Sequence, residues 1–257
     1  MKSTSFKPDA SCAILLVGEP KTGKTNLAFA FPNLGIIDCD LNLAAAVRRC
    51  PSKVFDYEQP AVLPDGKERP EVDRWNFVVE KTKAYIADPS IQTIFVDGLG
   101  VLYEMCMAHI VHQTRLAGTN KTGKMEIQNY GDLARLIRGY VMMLRASGKI
   151  VLVSSHQAAE KDEVTGAFRY YLNVPGQTKE NLGGLFTDVW ATVATPGIGG
   201  KTKFAIRTKP TGYHVSLGTS FALDAEIDVT DKTPDQIWSL LSPKLGITAK
   251  TVTPTAA

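Results

Sequence analysis

One octapeptide limits the possible folds of this chain more than any other segment. Gly18-Glu19-Pro20-Lys21-Thr22-Gly23-Lys24-Thr25 matches G-x-x-x-x-G-K-[ST] at every fixed position. Its setting matters as much as the match. The loop follows the apolar run Cys12 to Val17, of strand length, and opens a segment of helical period, Lys24 to Phe31. In a strand-loop-helix unit the glycines let backbone N–H groups converge on anionic oxygens, and the helix start adds partial positive charge. Lys24 is placed to reach the outer phosphates of a nucleotide and the Thr25 hydroxyl to ligate Mg²⁺. All eight residues, Gly18, Glu19, Pro20, Lys21, Thr22, Gly23, Lys24 and Thr25, are therefore candidate nucleotide contacts. A second stretch, Gly118 to Met125, repeats the glycine and lysine spacing, but Met125 replaces the hydroxyl and no strand precedes it. It reads as a flexible basic loop.

A unit of this kind needs a parallel sheet around it, and the rest of the chain supplies one. Strand-like runs at Leu34 to Asp38, Val54 to Tyr57, Thr93 to Val96 and Ile150 to Ser154 alternate with helical periods at about Leu43 to Arg49, Arg74 to Ala87, Leu99 to His112 and Tyr130 to Ala146. Beyond residue 188 shorter strands follow, at Val189 to Ala194, Phe204 to Thr208 and Tyr213 to Leu217, joined by tight turns. The expectation is an α/β fold, a P-loop NTPase core whose mostly parallel central sheet is extended by C-terminal antiparallel strands. Residues 1–230 form that core. Residues 231–257 form a short helix opened by Thr233-Pro234, then a disordered Thr/Ala-rich tail. Gln59 to Asp73 and Gln157 to Gly184 show no period and read as long loops.

Two carboxylate groups belong to the same chemistry. The strand at Thr93 to Val96 ends in Asp97, at the ligand edge of a parallel sheet, where a carboxylate can hold Mg²⁺ through water. The strand after the phosphate loop ends Asp38-Cys39-Asp40, two carboxylates pointing to one side of an extended segment. One of them, with Asp40 preferred, is suited to orient or deprotonate an attacking water; the other reading is a cap on the following helix.

With these residues the chain resembles the RecA/RadA-type recombinase ATPase core, and most closely the small phage RecA-like ATPases that accompany single-strand annealing. The loop is close to the Gly-Glu-x-x-Thr-Gly-Lys-Thr form of RadA-type proteins. The family's Asp-Thr-Glu strand end, whose Glu is the catalytic carboxylate, has Asp38-Cys39-Asp40 in its place, one methylene shorter. The resemblance implies that Val151-Leu152-Val153-Ser154-Ser155-His156 ends in a γ-phosphate sensor, His156. It implies that two loops meet DNA, one carrying Arg115, Lys121 and Lys124, the other Lys161, Arg169, Tyr170, Tyr171 and Lys179. There cations neutralise phosphates and aromatics stack on unpaired bases. It further implies that Arg207 and Lys209 act as fingers toward a neighbouring subunit's nucleotide, although ordinary surface cations on a strand would look the same.

The function implied is an ATP- and Mg²⁺-dependent ATPase, with Lys24, Asp40, Asp97 and His156 catalytic and Thr25 and Asp97 at the metal. Its activity would depend on single-stranded DNA and support phage DNA recombination by annealing or strand exchange. The implied partners are single-stranded DNA, further copies of the chain in a ring or filament, and a single-strand-binding protein. The rival reading is a nucleotide-gated binding module that hydrolyses negligibly and recruits a single-strand-binding or replication protein.

Composition bounds these readings without selecting among them. Twenty-nine Lys and Arg against 26 Asp and Glu leave a net charge of only +3, so any hold on nucleic acid must come from local clusters. The longest apolar run is about six residues, far below the ~20 of a membrane span, so a cytoplasmic protein with no membrane partner is expected. Cys12, Cys39, Cys50 and Cys106 are scattered, which predicts reduced thiols rather than a metal site or disulfides.

Overall fold

The computed structural model describes residues 12–161, 163, 168–174, 182–211 and 216–247. Nine strands are named: β1 (Ala13–Gly18), β2 (Leu34–Asp38), β3 (Asp56–Glu58), β4 (Thr93–Asp97), β5 (Ile150–Lys161), β6 (Phe168–Leu172), β7 (Asp188–Pro196), β8 (Thr202–Arg207) and β9 (Glu226–Asp228). Among the described residues six α-helices accompany them: α1 (Lys24–Ala28), α2 (Leu43–Arg49), α3 (Glu71–Ala87), α4 (Leu99–Leu116), α5 (Asn129–Arg145) and α6 (Pro234–Leu245). The sheet order is β3-β2-β4-β5-β1-β7-β8-β9. All pairings from β3 to β7 are parallel, and β8 and β9 add antiparallel strands at one edge. This is the α/β architecture expected from the sequence, a mostly parallel central sheet extended by C-terminal antiparallel strands.

Strand parity builds the two layers. Ala13, Leu15 and Val17 of β1, Val151 and Val153 of β5, and Ile94 and Val96 of β4 face one cluster with α3, α4 and α5. Cys12, Ile14, Leu16, Leu152 and Phe95 face the other, with Leu27 and Phe31, Leu43 of α2 and Leu241 of α6. Burial on both faces explains why these strands read as continuous apolar runs. The apolar stripe of α5, Leu133, Ile137, Tyr140, Val141 and Leu144, is buried throughout. The α6 helix opens with a capping box between Thr233 and Gln236, and Trp238 lies 5.3 Å from the Phe31 ring. It runs to Leu245 and ends at Gly246, which is left-handed.

Several expectations change. Gln157 to Lys161 is not loop: it prolongs β5 and pairs antiparallel with β6 as a hairpin, and Leu182–Leu185 forms a 3₁₀ turn. The segment after Gln59 is ordered by a bridge between Val62 and Glu68, and α3 starts at Glu71 rather than Arg74. The basic loop after α4 is tied rather than flexible. The buried Asn120 carboxamide accepts from Thr122 N and Gly123 N and donates to the Lys124 carbonyl. Residues 212–215, most of the strand expected at Tyr213 to Leu217, lie outside the described residues, as does the C-terminal tail from 248. All four cysteines are free thiols. Among the described residues, no helix is long and apolar enough to cross a membrane.

Candidate nucleotide site

The site forms at the C-terminal ends of β1, β2, β4 and β5. Because β5 lies between β1 and β4, Gly18 stands in register with His156, and Asp97 lies one strand beyond. Parity then selects the face: Asp97, Ser154 and His156 lie on the side carrying α1 and α2. Gly18 is held tightly, since a Cβ there would sit 2.5 Å from the Thr192 carbonyl oxygen. The loop is also pinned from β7, where the Thr192 hydroxyl lies 2.7 Å from that of Thr22.

Lys24 is largely buried, and its ammonium donates to the carbonyls of Gly18 (3.0 Å) and Glu19 (2.9 Å). Burial pulls its pKa down to about 8 despite the nearby Asp97 and Asp40 carboxylates. His156 Nδ1 lies 3.3 Å from that ammonium and its Nε2 lies 3.8 Å from Asp40 Oδ2. Burial, and then Lys24, lower the His156 pKa and favour a neutral ring. The Thr25 hydroxyl donates to Asp97 Oδ2 at 2.8 Å, and the Ser154 hydroxyl donates to Asp97 Oδ1.

The two carboxylates after β2 separate, against the expectation that they share a side. The strand stops at Asp38 and the chain turns through Leu41, whose φ is +56°. Asp38 is fully buried and accepts from Gln59 Nε2 (2.9 Å) and Asn42 N (3.0 Å), so it braces the turn into α2. Asp40 alone reaches the pocket. Its backbone N–H donates to the Asp97 carbonyl at 3.0 Å, and its carboxylate occupies the space beside Gly98, where a Cβ would fall 2.5 Å from Oδ2. Burial, then the charges of Asp97 and Asp38, push the Asp40 pKa up to about 6.

These groups line a pocket of about 290 Å³ with Pro20, Lys21, Gly23, Asn26, Asn42, Ala45, Ala46 and Arg49. A second, open cavity of about 500 Å³ adjoins it through Asp40, Asn42 and His156 and is also lined by Gly100, Val101, Glu104, Asn173 and Val174. Sequence reasoning missed Ser154, Thr192, Gly98 and Arg49. Ser154 had a signal, its i−2 spacing from His156, but nothing near Gly18 announces a partner 174 residues away.

The remaining sequence-predicted residues lie elsewhere. Arg115, Lys121 and Lys124 are exposed at the turn between α4 and α5, where Arg115 and Lys124 line a groove of about 540 Å³. Since α3 and α5 both end where the next strand enters the sheet, their N-termini lie at the same sheet edge as the phosphate loop. The groove, shared by Glu71 and Val72 of α3 and Gly123 to Met125, sits at that edge. Lys161 is exposed on the hairpin, Tyr170 and Tyr171 are half-buried, and Arg169 lies on β6. Lys179 lies outside the described residues. Arg207 pairs in register with Ala191, itself level with Val17, so it stands two strands from the phosphate loop, roughly 10 Å away. Its guanidinium is bound to Glu226 at 3.0 Å, and Lys209 is exposed.

A glycine-lysine phosphate loop at the end of a parallel strand, faced by a buried carboxylate on a strand two places away, defines a P-loop ATPase domain that binds nucleotide. More particularly, residues 10–214 match the AAA domain family AAA_24, and the chain belongs to that family. Among solved structures it is similar to a KaiC-like protein from the hyperthermophilic archaeon Pyrococcus horikoshii OT3, at 10% identity and a TM-score of 0.41, with 78% of each chain covered. No curated protein matches it.

Proposed function

We propose that the protein is a Mg²⁺-dependent ATPase whose turnover responds to single-stranded DNA in phage DNA recombination, by annealing or strand exchange. The observation carrying this reading is the position of His156. It touches Lys24, stands beside Asp40, and belongs to the strand that runs on into the exposed β5-β6 hairpin.

The residues fit an ion that arrives on phosphates. Thr25 and Asp97 face each other in the pocket, and among the described residues no cluster of three His, Cys, Asp or Glu side chains would hold a metal unaided. Bound Mg²⁺ would neutralise charge on the outer phosphates. Lys24 exchanges its loop carbonyls for γ-phosphate oxygens. Asp40 orients a water in line with the γ-phosphorus and accepts its proton as the new P–O bond forms and the bond to the leaving ADP oxygen breaks. A pKa near 6 leaves Asp40 ionised at neutral pH yet more basic than an ordinary aspartate. His156 registers the γ-phosphate, and the hairpin and the α4-α5 turn with Lys121 and Lys124 hold DNA phosphates. Arg207 or Lys209 of an adjacent copy in a ring or filament complements the charge at the pocket mouth. A single-strand-binding protein is the expected accessory partner.

ATP turnover by the purified chain, measured with and without an oligo-dT strand over a range of salt, tests this. Stimulation that fades as salt rises is expected. Turnover indifferent to DNA, with no salt-sensitive DNA binding, refutes the DNA assignment. Unchanged turnover in Lys24→Ala refutes the site itself.

A further inference from the structure

The groove of about 540 Å³ between the start of α3 and the second half of α4 takes no part in the nucleotide pocket. One face of α4 lines it, with Glu104, Met107, Ala108, Val111, His112 and Arg115 at i, i+3, i+4, i+7, i+8 and i+11. Met107, Ala108 and Val111 are left partly open to solvent, so the floor is apolar. The ends differ in sign. Glu104 stands at one end and Arg115 at the other, eleven residues of helix or about 16 Å away. Arg115 reaches across to the α4-α5 turn, where a Cβ on Gly123 would lie 3.4 Å from its guanidinium. Neither Glu104 nor Arg115 forms a hydrogen bond or ion pair with another described residue. The same turn exposes two large apolar side chains, Leu116 (71%) and Ile127 (93%).

An apolar floor with unpaired charges of opposite sign at its two ends is complementary to a partner carrying the reverse pattern. Nucleic acid lacks that pattern. The Glu71 and Glu104 carboxylates in the groove oppose phosphates, and methionine and valine offer no flat ring on which a base could stack. An extended peptide is also poorly matched, because α4 spends its backbone groups within the helix and presents no edge to pair with. A helix satisfies its own backbone and needs only side-chain contacts. Its dipole favours an acidic residue in its first turn and a basic one in its last. We propose that this groove docks an amphipathic helix of a protein partner, antiparallel to α4, with an acidic residue at Arg115, two apolar residues on Val111 and Met107, and a basic residue at Glu104. In the partner's sequence these fall at i, i+4, i+7 and i+11. Glu104 also lines the cavity beside Asp40 and His156, so the docked helix ends next to the nucleotide pocket.

The probe is a fluorescein-labelled, capped helix of 16 alanine and glutamine residues with Glu, Leu, Leu and Arg placed at its positions 3, 7, 10 and 14. Its affinity is read by fluorescence polarisation on the full chain as wild type, Glu104→Lys and Arg115→Glu. Both positions are exposed on a helix surface, so the variants should fold normally, which their thermal unfolding will verify. Wild type should bind the probe, and replacing both of the probe's leucines by glutamine should weaken it at least tenfold. Arg115→Glu should weaken the probe about two- to fivefold, as should replacing the probe's Arg by Glu on wild type. That acidic probe should in turn bind Glu104→Lys more tightly than it binds wild type, since the charge is reversed on both sides. The proposal is overturned if wild type fails to bind at millimolar probe, if the glutamine probe binds equally well, or if Glu104→Lys does not prefer the acidic probe. An oligo-dT strand is titrated in parallel; if the two substitutions change its affinity while the probe never binds, the groove belongs to nucleic acid and the proposal fails.

Discussion

Replacing Asp40 by Asn should make the nucleotide-free protein more stable while making it a poorer enzyme, and the gain should depend on pH in a defined way. The Asp40 carboxyl rises from 3.8 to about 6 on folding, through burial and then the charges of Asp97 and Asp38. The native state therefore binds more protons than the unfolded chain between those two values, and native stability falls as pH rises through that window. Below about pH 4 the penalty is absent, and above pH 6 it is complete. Roughly two pH units correspond to a ceiling of about 3 kcal/mol. Two features reduce it. The Asp40 side chain is 12% exposed to a water-accessible pocket, and Lys24, already pulled down to about 8 by burial, loses a favourable neighbour when Asp40 is neutralised. A net gain of about 1 to 2 kcal/mol above pH 6.5 is expected, worth roughly 2 to 8 °C in Tm for a chain of this size. Asn retains an oxygen for the Gly98 backbone N–H, so the turn should persist. Urea or thermal unfolding of both proteins, without nucleotide or metal, from pH 4 to 8 gives the difference directly. A difference that does not vary with pH, or a variant less stable than wild type above pH 6.5, would refute the account of Asp40 as a carboxylate strained by its neighbours.

Three further outcomes follow from contacts around it. Gly98→Ala places a methyl 2.5 Å from Asp40 Oδ2, so the carboxylate must swing away. ATP turnover should fall at least tenfold with KM changed by less than about twofold, and wild-type kcat would show that Asp40 acts from elsewhere. Ser154→Ala deprives Asp97 Oδ1 of its hydroxyl donor, which should raise the Mg²⁺ concentration giving half-maximal turnover several-fold; an unchanged Mg²⁺ titration would remove Ser154 from the site. Lys121→Ala combined with Lys124→Ala should flatten the salt dependence of single-stranded DNA affinity by about one to two in log–log slope, whereas an identical slope would place the DNA on another surface.

What the sequence made legible was local. The phosphate loop, the strand ending in Asp97 and the strand ending at His156 each announce themselves within about ten residues, because fully buried parallel strands need continuous apolar runs and their ends carry the chemistry. The β5-β6 hairpin was invisible for the opposite reason. From Gln157 to Lys161 the strand leaves the sheet and is largely exposed, so neither a run nor an alternation betrays it. Asp38 and Asp40 could not be told apart in sequence because their separation depends on Leu41 adopting a left-handed turn and on Gln59 arriving from the end of β3. Arg49 was overlooked because its helix is only seven residues long, and its place at the pocket is defined by residues that lie across from it.

The position of β5 has a mechanical consequence that no single site residue reveals. Ser154 and His156 lie two residues apart on one face, so a slip of one residue in β5 would turn both away together, costing Asp97 Oδ1 its donor and Lys24 its imidazole neighbour. They function as a unit fixed by register. The hairpin closes on the same unit, because Asn173, just past β6, donates its backbone N–H to the His156 carbonyl at 2.9 Å. Anything that reorders β6 therefore acts on the backbone of the residue that stands between Lys24 and Asp40. The reverse also holds: a phosphate that draws Lys24 forward changes the contacts of His156, and through Asn173 the base of the hairpin. A ligand on the hairpin and a nucleotide in the pocket can influence each other only to the extent that they prefer different arrangements at this point. Asn173→Pro, which removes that N–H without touching either ligand, should weaken any stimulation of ATP turnover by single-stranded DNA more than it weakens turnover alone.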